Sequence, residues 1–332
     1  MVTDSGVWNI SHDQSEFQEG VSMKLISAIH HAALRVANLE EAFARWSHTL
    51  GLHGEIHNDH AILRCTHEDF GLLLMPSTDK PGLEYVAYEL APKLSFEEAK
   101  TELKARALTF EEVAIPHRGT GLKLQDPDGN NVVLLERFRK DPSFPSEVQF
   151  SSRIPGFHPR KFAHVNYLTS DAKRAVNWYI KKLGFGLTDW VGDEGCWLHV
   201  NSDHHVLAFV EKGYNHIHHV AFELVDWGEM RVALDHLAQN ARPVVWGPGR
   251  HGVARNLYSY IRMPEEDIFM ELFCDLEQLV PDHQPRYYPD DAHTSNTWGI
   301  LPPRSYFRFD AEAIKSESDQ TEAYLERIPT VV

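Results

Sequence analysis

Hydrophobic and polar residues along this chain fall into strand-like runs of period two, each followed by a stretch of helical spacing. Ile29 to Val36 reads as a strand. Asn38 then caps a helix expected over 39–50, which Gly51 ends. Three short strand-like runs follow, as far as Met75. A second unit opens with Leu83 to Leu90. Ser95 caps its expected helix over 96–107, and the turn Asp126-Pro127-Asp128-Gly129 leads into a strand from Asn131 to Leu135. The same order then returns. Phe162 to Leu168 forms a strand, Asp171 caps a helix through Lys182, and Gly184 ends it. His216 to Leu224 opens the last unit, and Ile268 to Phe273 closes it.

The two halves superimpose in sequence. His31 falls on His164 and Gly51 on Gly184, and Tyr85-Val86-Ala87-Tyr88-Glu89-Leu90 falls on His219-Val220-Ala221-Phe222-Glu223-Leu224. The pattern predicts an α+β fold of four strand–helix–three-strand units paired into two domains. The expected division is an arm over 1–24, a first domain over 25–140, a proline-bearing linker over 141–160, a second domain over 161–280 and an extension over 281–332. A helix is expected near Ser316–Glu326, unless that segment is disordered.

One residue breaks the apolar pattern. Glu271 sits mid-strand between Met270 and Leu272, with Phe269 and Phe273 on its own face. A buried carboxylate must be paired, bind a metal or take up a proton. The repeat places His164, His219 and Glu271 in the second domain where the first carries His31, Tyr85 and Val133. Tyrosine and valine cannot complete a site, so the first domain reads as a metal-free scaffold. Two histidines and one carboxylate leave coordination positions open, as non-haem Fe(II) oxygenases need. The closing turn Met263-Pro264-Glu265-Glu266-Asp267 is one residue longer than its first-domain counterpart. This keeps Asp267, Glu265 and Glu266 as alternatives for the carboxylate.

Composition narrows the class. A net charge of −16 over 332 residues argues against nucleic acid and against anionic membrane surfaces. No stretch approaches 18 apolar residues, and the first 22 are polar and acidic, so neither a membrane span nor a secretory leader is expected. Cys65, Cys196 and Cys274 lie far apart in apolar strands and read as reduced thiols of a cytoplasmic protein. With 21 histidines, a lone histidine carries little weight.

The second half resembles the vicinal oxygen chelate superfamily and, within it, the type I extradiol ring-cleaving dioxygenases, in the pattern of the homoprotocatechuate and catechol 2,3-dioxygenases. The resemblance spans about 27–300. It rests on Phe162-Ala163-His164-Val165-Asn166, Trp197-Leu198-His199, His204-His205-Val206, His218-His219-Val220-Ala221-Phe222, Gly247-Pro248-Gly249-Arg250-His251-Gly252-Val253, Tyr258-Ser259-Tyr260 and Glu271. It implies two cup-shaped, mixed-sheet domains and metal ligation by His164, His219 and Glu271. It implies Fe(II), with Mn(II) sharing the same ligand preferences. By the same resemblance His205 is the acid/base histidine, and its neighbour His204, less favoured for that role, is grouped with Asn166, Trp197 and Trp246 as substrate-binding. Strand neighbours face opposite ways, so one of the pair reaches the pocket. His251 and Tyr260 are implied to hydrogen-bond bound substrate oxygens, and Asn166 and Trp197 to line the pocket.

The implied partners are a catecholic small molecule and O2, and the implied product is a muconic semialdehyde. Homoprotocatechuate enzymes hold the substrate carboxylate with arginines, one where this chain has Trp246 and others near Thr294-Ser295-Asn296. Their absence here points to an uncharged, substituted catechol. Trp246 is then expected in the pocket wall. The alternative is another metalloenzyme of the superfamily, such as a glyoxalase-like isomerase, an epimerase or a thiol transferase. A homo-oligomer is expected, because the first domain has edges and apolar surface to cover.

Overall fold

The structure, a computed structural model, describes residues 23–68, 70–137, 156–307 and 311–325. The first half runs β1 (Ile26–Val36), α1 (Leu39–Ala44), β2 (His53–Ile56), β3 (Ala61–Arg64), β4 (Leu72–Pro76), β5 (Gly82–Leu90), α2 (Phe96–Ala105), β6 (Glu111–Ile115), β7 (Gly119–Gln125) and β8 (Asn131–Leu135). The second runs β9 (Lys161–Thr169), α3 (Ala172–Trp178), β10 (Gly186–Val191), β11 (Gly195–His199), β12 (Leu207–Glu211), β13 (His216–Glu223), α4 (Trp227–Gln239), β14 (Val244–Arg250), β15 (Leu257–Met263) and β16 (Ile268–Cys274). Beyond these come β17 (Arg286–Tyr288), α5 (Ala292–Ser295) and α6 (Ala311–Leu325).

Each half forms one mixed sheet, and the strand orders correspond. The first is β2-β3-β4-β1-β5-β8-β7-β6. The second is β10-β11-β12-β9-β13-β16-β15-β14, extended at β10 by β17. The repeat read from the sequence is thus a repeat of topology. Its register also holds. Ala87 pairs with His31 and with Val133, and Ala221 pairs with His164 and with Glu271. The three-residue set at the centre of each sheet is therefore built alike.

The helices pack the apolar sheet faces into one core that crosses both halves, with Trp46 tilted against Phe222 and Tyr88 edge-on to Phe185. Ser95 and Glu98 form a reciprocal capping box at α2. The first helix of each half ends sooner than its spacing predicts. Residues 45–49 and 179–183 widen into a π turn, with Trp46 and Tyr179 fully buried there. Gly51 follows in a left-handed conformation. A β-carbon there would lie 2.0 Å from the Phe157 carbonyl oxygen, so only glycine fits.

The extra residue in the β15–β16 turn binds the halves together. Buried Glu266 pairs with Arg45, and Lys80 donates to Asp267 at 2.5 Å. These acids are thereby committed far from the pocket, and Glu271 keeps the mid-strand register opposite Tyr260. The expected arm and linker lie mostly outside the described residues. The extension is folded, with β17 pairing in parallel with β10 through Asp189 and Arg286. The C-terminal helix begins at Ala311, earlier than expected. Among the described residues, no helix is long and apolar enough to cross a membrane.

Candidate metal centre

The concave face of the second sheet brings three side chains to one point. His164 on β9, His219 on β13 and Glu271 on β16 come from three adjacent strands. The Glu271 Oε2 lies 3.0 Å from His164 Nε2 and 3.2 Å from His219 Nε2, and the two nitrogens are 3.3 Å apart. All three residues are buried. Burial alone would raise the Glu271 carboxyl. The adjoining His164 and His219 outweigh it and hold the group well below the usual carboxylate range. Asn256 donates to the other oxygen, Oε1, at 3.0 Å.

The chain fixes the His219 tautomer from behind. His218 Nε2–H donates to the Tyr306 carbonyl at 2.8 Å, which leaves the neutral His218 ring with a bare Nδ1. His219 Nδ1–H donates to that atom at 2.7 Å, so the Nε2 of His219 presents its lone pair to Glu271 and His164. Lone pairs from two rings and a carboxylate then crowd a site with at most one proton to share. That donor set fits a divalent metal with open positions.

A cavity opens above the three ligating atoms. Asn166, Trp197, His205, Trp246, His251 and Tyr260 all line it. Tyr260 Oη–H donates to His251 Nε2 at 3.1 Å, because His251 Nδ1–H is committed to the Ser295 carbonyl at 2.7 Å. The Tyr260 ring stacks on Trp246, and His251 stacks on Tyr258. Burial lowers His251 and raises Tyr260 far above the ordinary tyrosine value, so both rings are neutral near pH 7.

His204 is the exception. It does not line the cavity. Its Nε2–H donates to Asp189 at 2.7 Å, and its Nδ1 accepts from His205 Nδ1–H at 3.0 Å. Asp189 is fully buried and is held by two Arg286 donors at 2.9 Å, with Arg286 held in turn by Glu277. His204 is thus a buttress behind His205 rather than a pocket wall. The alternation premise also fails at His218-His219. A bulge between Ile217 and His219 breaks the register, and both rings reach the cavity side.

Several groups escaped the sequence reading. Asp189 carried a visible signal, a charged residue between Thr188 and Trp190 in an apolar strand, of the same kind that marked Glu271. Asn256 and Tyr306 carried none. The extension supplies Tyr306, whose ring abuts His218, Trp246 and Tyr260, and the Ile300 carbonyl, which accepts from Trp246 Nε1 at 2.9 Å.

Comparison with known proteins places this geometry. Residues 28–134 and 161–262 match the Glyoxalase/Bleomycin resistance protein/Dioxygenase superfamily. Metapyrocatechase 2 of Cupriavidus necator is 28% identical over 174 residues, which are 48% of this chain and 54% of that protein. The alignment thus spans about half of that relative. Metapyrocatechase of Pseudomonas sp. (strain CF600) is 24% identical over 278 residues, 77% of this chain and 88% of the relative. Among solved structures, the 2,3-dioxygenase LapB from Pseudomonas sp. KL28 aligns with a TM-score of 0.72 at 25% identity, covering 81% of this chain and 99% of that one. With both halves matched, the chain belongs to the Glyoxalase/Bleomycin resistance protein/Dioxygenase superfamily.

Proposed function

We propose that this chain is an extradiol dioxygenase, inserting both atoms of O2 into a catecholic ring beside its diol to give a muconic semialdehyde-type product. One observation carries the reading most. The His164–His219–Glu271 cluster opens into a cavity that also holds His205, His251 and Tyr260, and the relatives are metapyrocatechases and a 2,3-dioxygenase. His164, His219 and Glu271 would hold Fe(II), or Mn(II), which has the same ligand preferences. The metal, when bound, supplies Lewis acidity toward the catechol hydroxyls and a route for electrons between ring and O2.

The chain's own residues do the rest. Asp189 keeps the His204 proton on Nε2, so His205 carries its proton on Nδ1 and turns a bare Nε2 toward the cavity. Burial, then His164 and His204, hold His205 well below the ordinary histidine value. It is therefore a neutral base, able to take a catechol hydroxyl proton at Nε2 and return it later in the cycle. Tyr260 Oη and His251 Nε2 form a donor–acceptor pair that can turn to a substrate oxygen. Trp197 and Asn166 give the ring an apolar wall and one polar edge. Tyr306 and α5 close the cavity and limit water.

The substrate is an uncharged catechol. Lys212 is the one Lys or Arg side chain among the described cavity residues, and it is already paired with Glu194. Arg250 is directed to Asp275 and the Arg255 carbonyl. A ring-borne carboxylate would find no free cation there. The three buried, unpaired thiols support a reducing compartment, the cytoplasm. Exposed Val225, Trp227, Trp298, Ile300 and Leu301 support assembly with further copies of the chain.

Anaerobic reconstitution with Fe(II), followed by catechol and 4-methylcatechol in air, tests the reading. A yellow ring-opened product is expected, with lower kcat/KM for a carboxylated catechol. Iron bound at His164, His219 and Glu271 without product from any catechol would sink the reading in favour of an isomerase or transferase of the same superfamily.

A further inference from the structure

The first domain, expected to be metal-free, carries a second histidine cluster away from the position equivalent to the catalytic metal centre. His57 and His60 flank the turn between β2 and β3, and the His57 amide donates to the His60 carbonyl at 2.8 Å. His117 stands in the turn between β6 and β7 with a φ of 59°. These turns belong to the two opposite edges of the first sheet. Curling of the sheet brings them together. The His57 and His60 rings stack at 4.6 Å, and the His117 ring centroid lies 5.0 Å from the first and 5.6 Å from the second. One ring nitrogen from each residue falls within 4.8 Å of the others.

The protonation pattern suits a cation. His60 Nδ1–H donates to Asp59 Oδ1 at 2.7 Å, so its Nε2 carries the lone pair. The Nε2 atoms of His57 and His60 are buried and have no hydrogen-bond partner. A buried ring nitrogen without a partner is costly, and two that converge with a third imidazole cost more. Glu55 Oε2 lies 3.9 Å from His57 Nε2 and can offer a fourth donor or a bridge through water.

We propose that His57, His60 and His117 form a second metal site, specific for a borderline transition ion such as Zn2+, that clips the two edges of the first sheet together. Three imidazoles favour Zn2+, Ni2+ or Cu2+ and disfavour Mg2+ and Ca2+, which take oxygen donors. The site is structural. Its ligands come from two hairpin turns at opposite edges of the sheet, so an ion held by all three would tie those edges to each other. The catalytic reading is independent of it.

Metal counting on the full chain decides the matter. At saturation with Zn2+, wild type should hold two metal ions per chain in total, counting whichever ion occupies the first site. His60→Ala should hold one, and His117→Asn, which suits the left-handed turn, should bind the second ion at least about 10-fold more weakly. Circular dichroism of both variants without metal checks that they fold. Zn2+ should also raise the thermal midpoint of wild type more than that of His60→Ala. A single equivalent in wild type, or two in folded His60→Ala, overturns the proposal.

Discussion

The two sheets use one plan, and hydrogen-bond polarity separates them. In both, a His-His pair sits at a bulge of a central strand with Nδ1 facing Nδ1, on strands that do not correspond: His30-His31 lies on β1, the counterpart of β9, and His218-His219 lies on β13, the counterpart of β5. In the second domain the pair ends on a carbonyl, Tyr306 O. The carbonyl takes the outer proton, so the inner ring offers a bare Nε2. In the first domain Arg118 Nε–H donates to His30 Nε2 at 3.1 Å. His30 Nδ1–H must then donate to His31 Nδ1, and His31 Nε2–H is directed at Tyr85 Oη, 3.1 Å away. The proton sits where a ligand's lone pair would have to be. Val133 replaces the carboxylate, and Ala33, Phe70, Leu73, Ala87 and Ile115 fill the cup around it. An acceptor or a donor at the far end of a histidine pair thus decides whether the near end can bind a metal.

The sharpest way to break the comparison is Glu271→Val, which gives the second domain the residue of the first. Metal content should fall nearly to zero. Ring cleavage should fall roughly a thousandfold or more, since several kcal/mol of metal assistance is lost and each 1.36 kcal/mol is tenfold. Retained metal with a small rate loss would return the carboxylate role to another residue. His205→Ala should keep the metal and lower turnover by about 10²–10⁴. Loss of metal in that variant would make His205 a ligand rather than a base.

His218→Phe tests the tautomer argument directly. The ring shape stays against Phe269, but the link to the Tyr306 carbonyl is cut. His219 is then free to take either tautomer, and metal affinity should drop by about 10–100-fold. Competition with a chelator of known affinity measures this. Unchanged affinity would leave the reversed polarity of the two domains without a role.

The fold was legible because alternation, caps and turn chemistry are local, and because the repeat let each half check the other. Glu271, His164 and His219 were legible for the same reason. A charge in an apolar strand, set against a valine in its twin, is visible without coordinates. What could not be read depends on contacts between distant residues. Asp189 meets Arg286 97 positions later, and His218 meets Tyr306 88 positions later. Arg118 reaches back 88 positions to His30. The bulges that turn adjacent histidines to one side are set by strand pairing, which the residue pattern of one strand does not contain. Hence the sequence preferred His205 to His204 and still could not show that His204 stands behind His205 on Asp189 instead of lining the cavity.

The smallest effect concerns His31, the scaffold's counterpart of a metal ligand. Burial, then His30 and Arg118, hold its folded value well below the 6.5 of an unfolded chain. The sign follows. Below pH 6.5 the unfolded chain takes up a proton that the fold refuses, so stability is fully present above that pH and is lost as pH falls. A ring that stays neutral in the fold costs stability that grows as pH falls further below 6.5. His31→Phe removes this term. It also strips Tyr85 Oη and His30 Nδ1 of a partner, a loss of about 1–3 kcal/mol that does not depend on the proton. The variant should therefore be less stable than wild type at pH 7.5, and the gap should narrow or close by pH 5. Urea midpoints at the two pH values measure it. A gap that stays constant would mean that His31 can accept a proton in the fold, and the reversed polarity that separates the scaffold from the metal-binding domain would have to be abandoned.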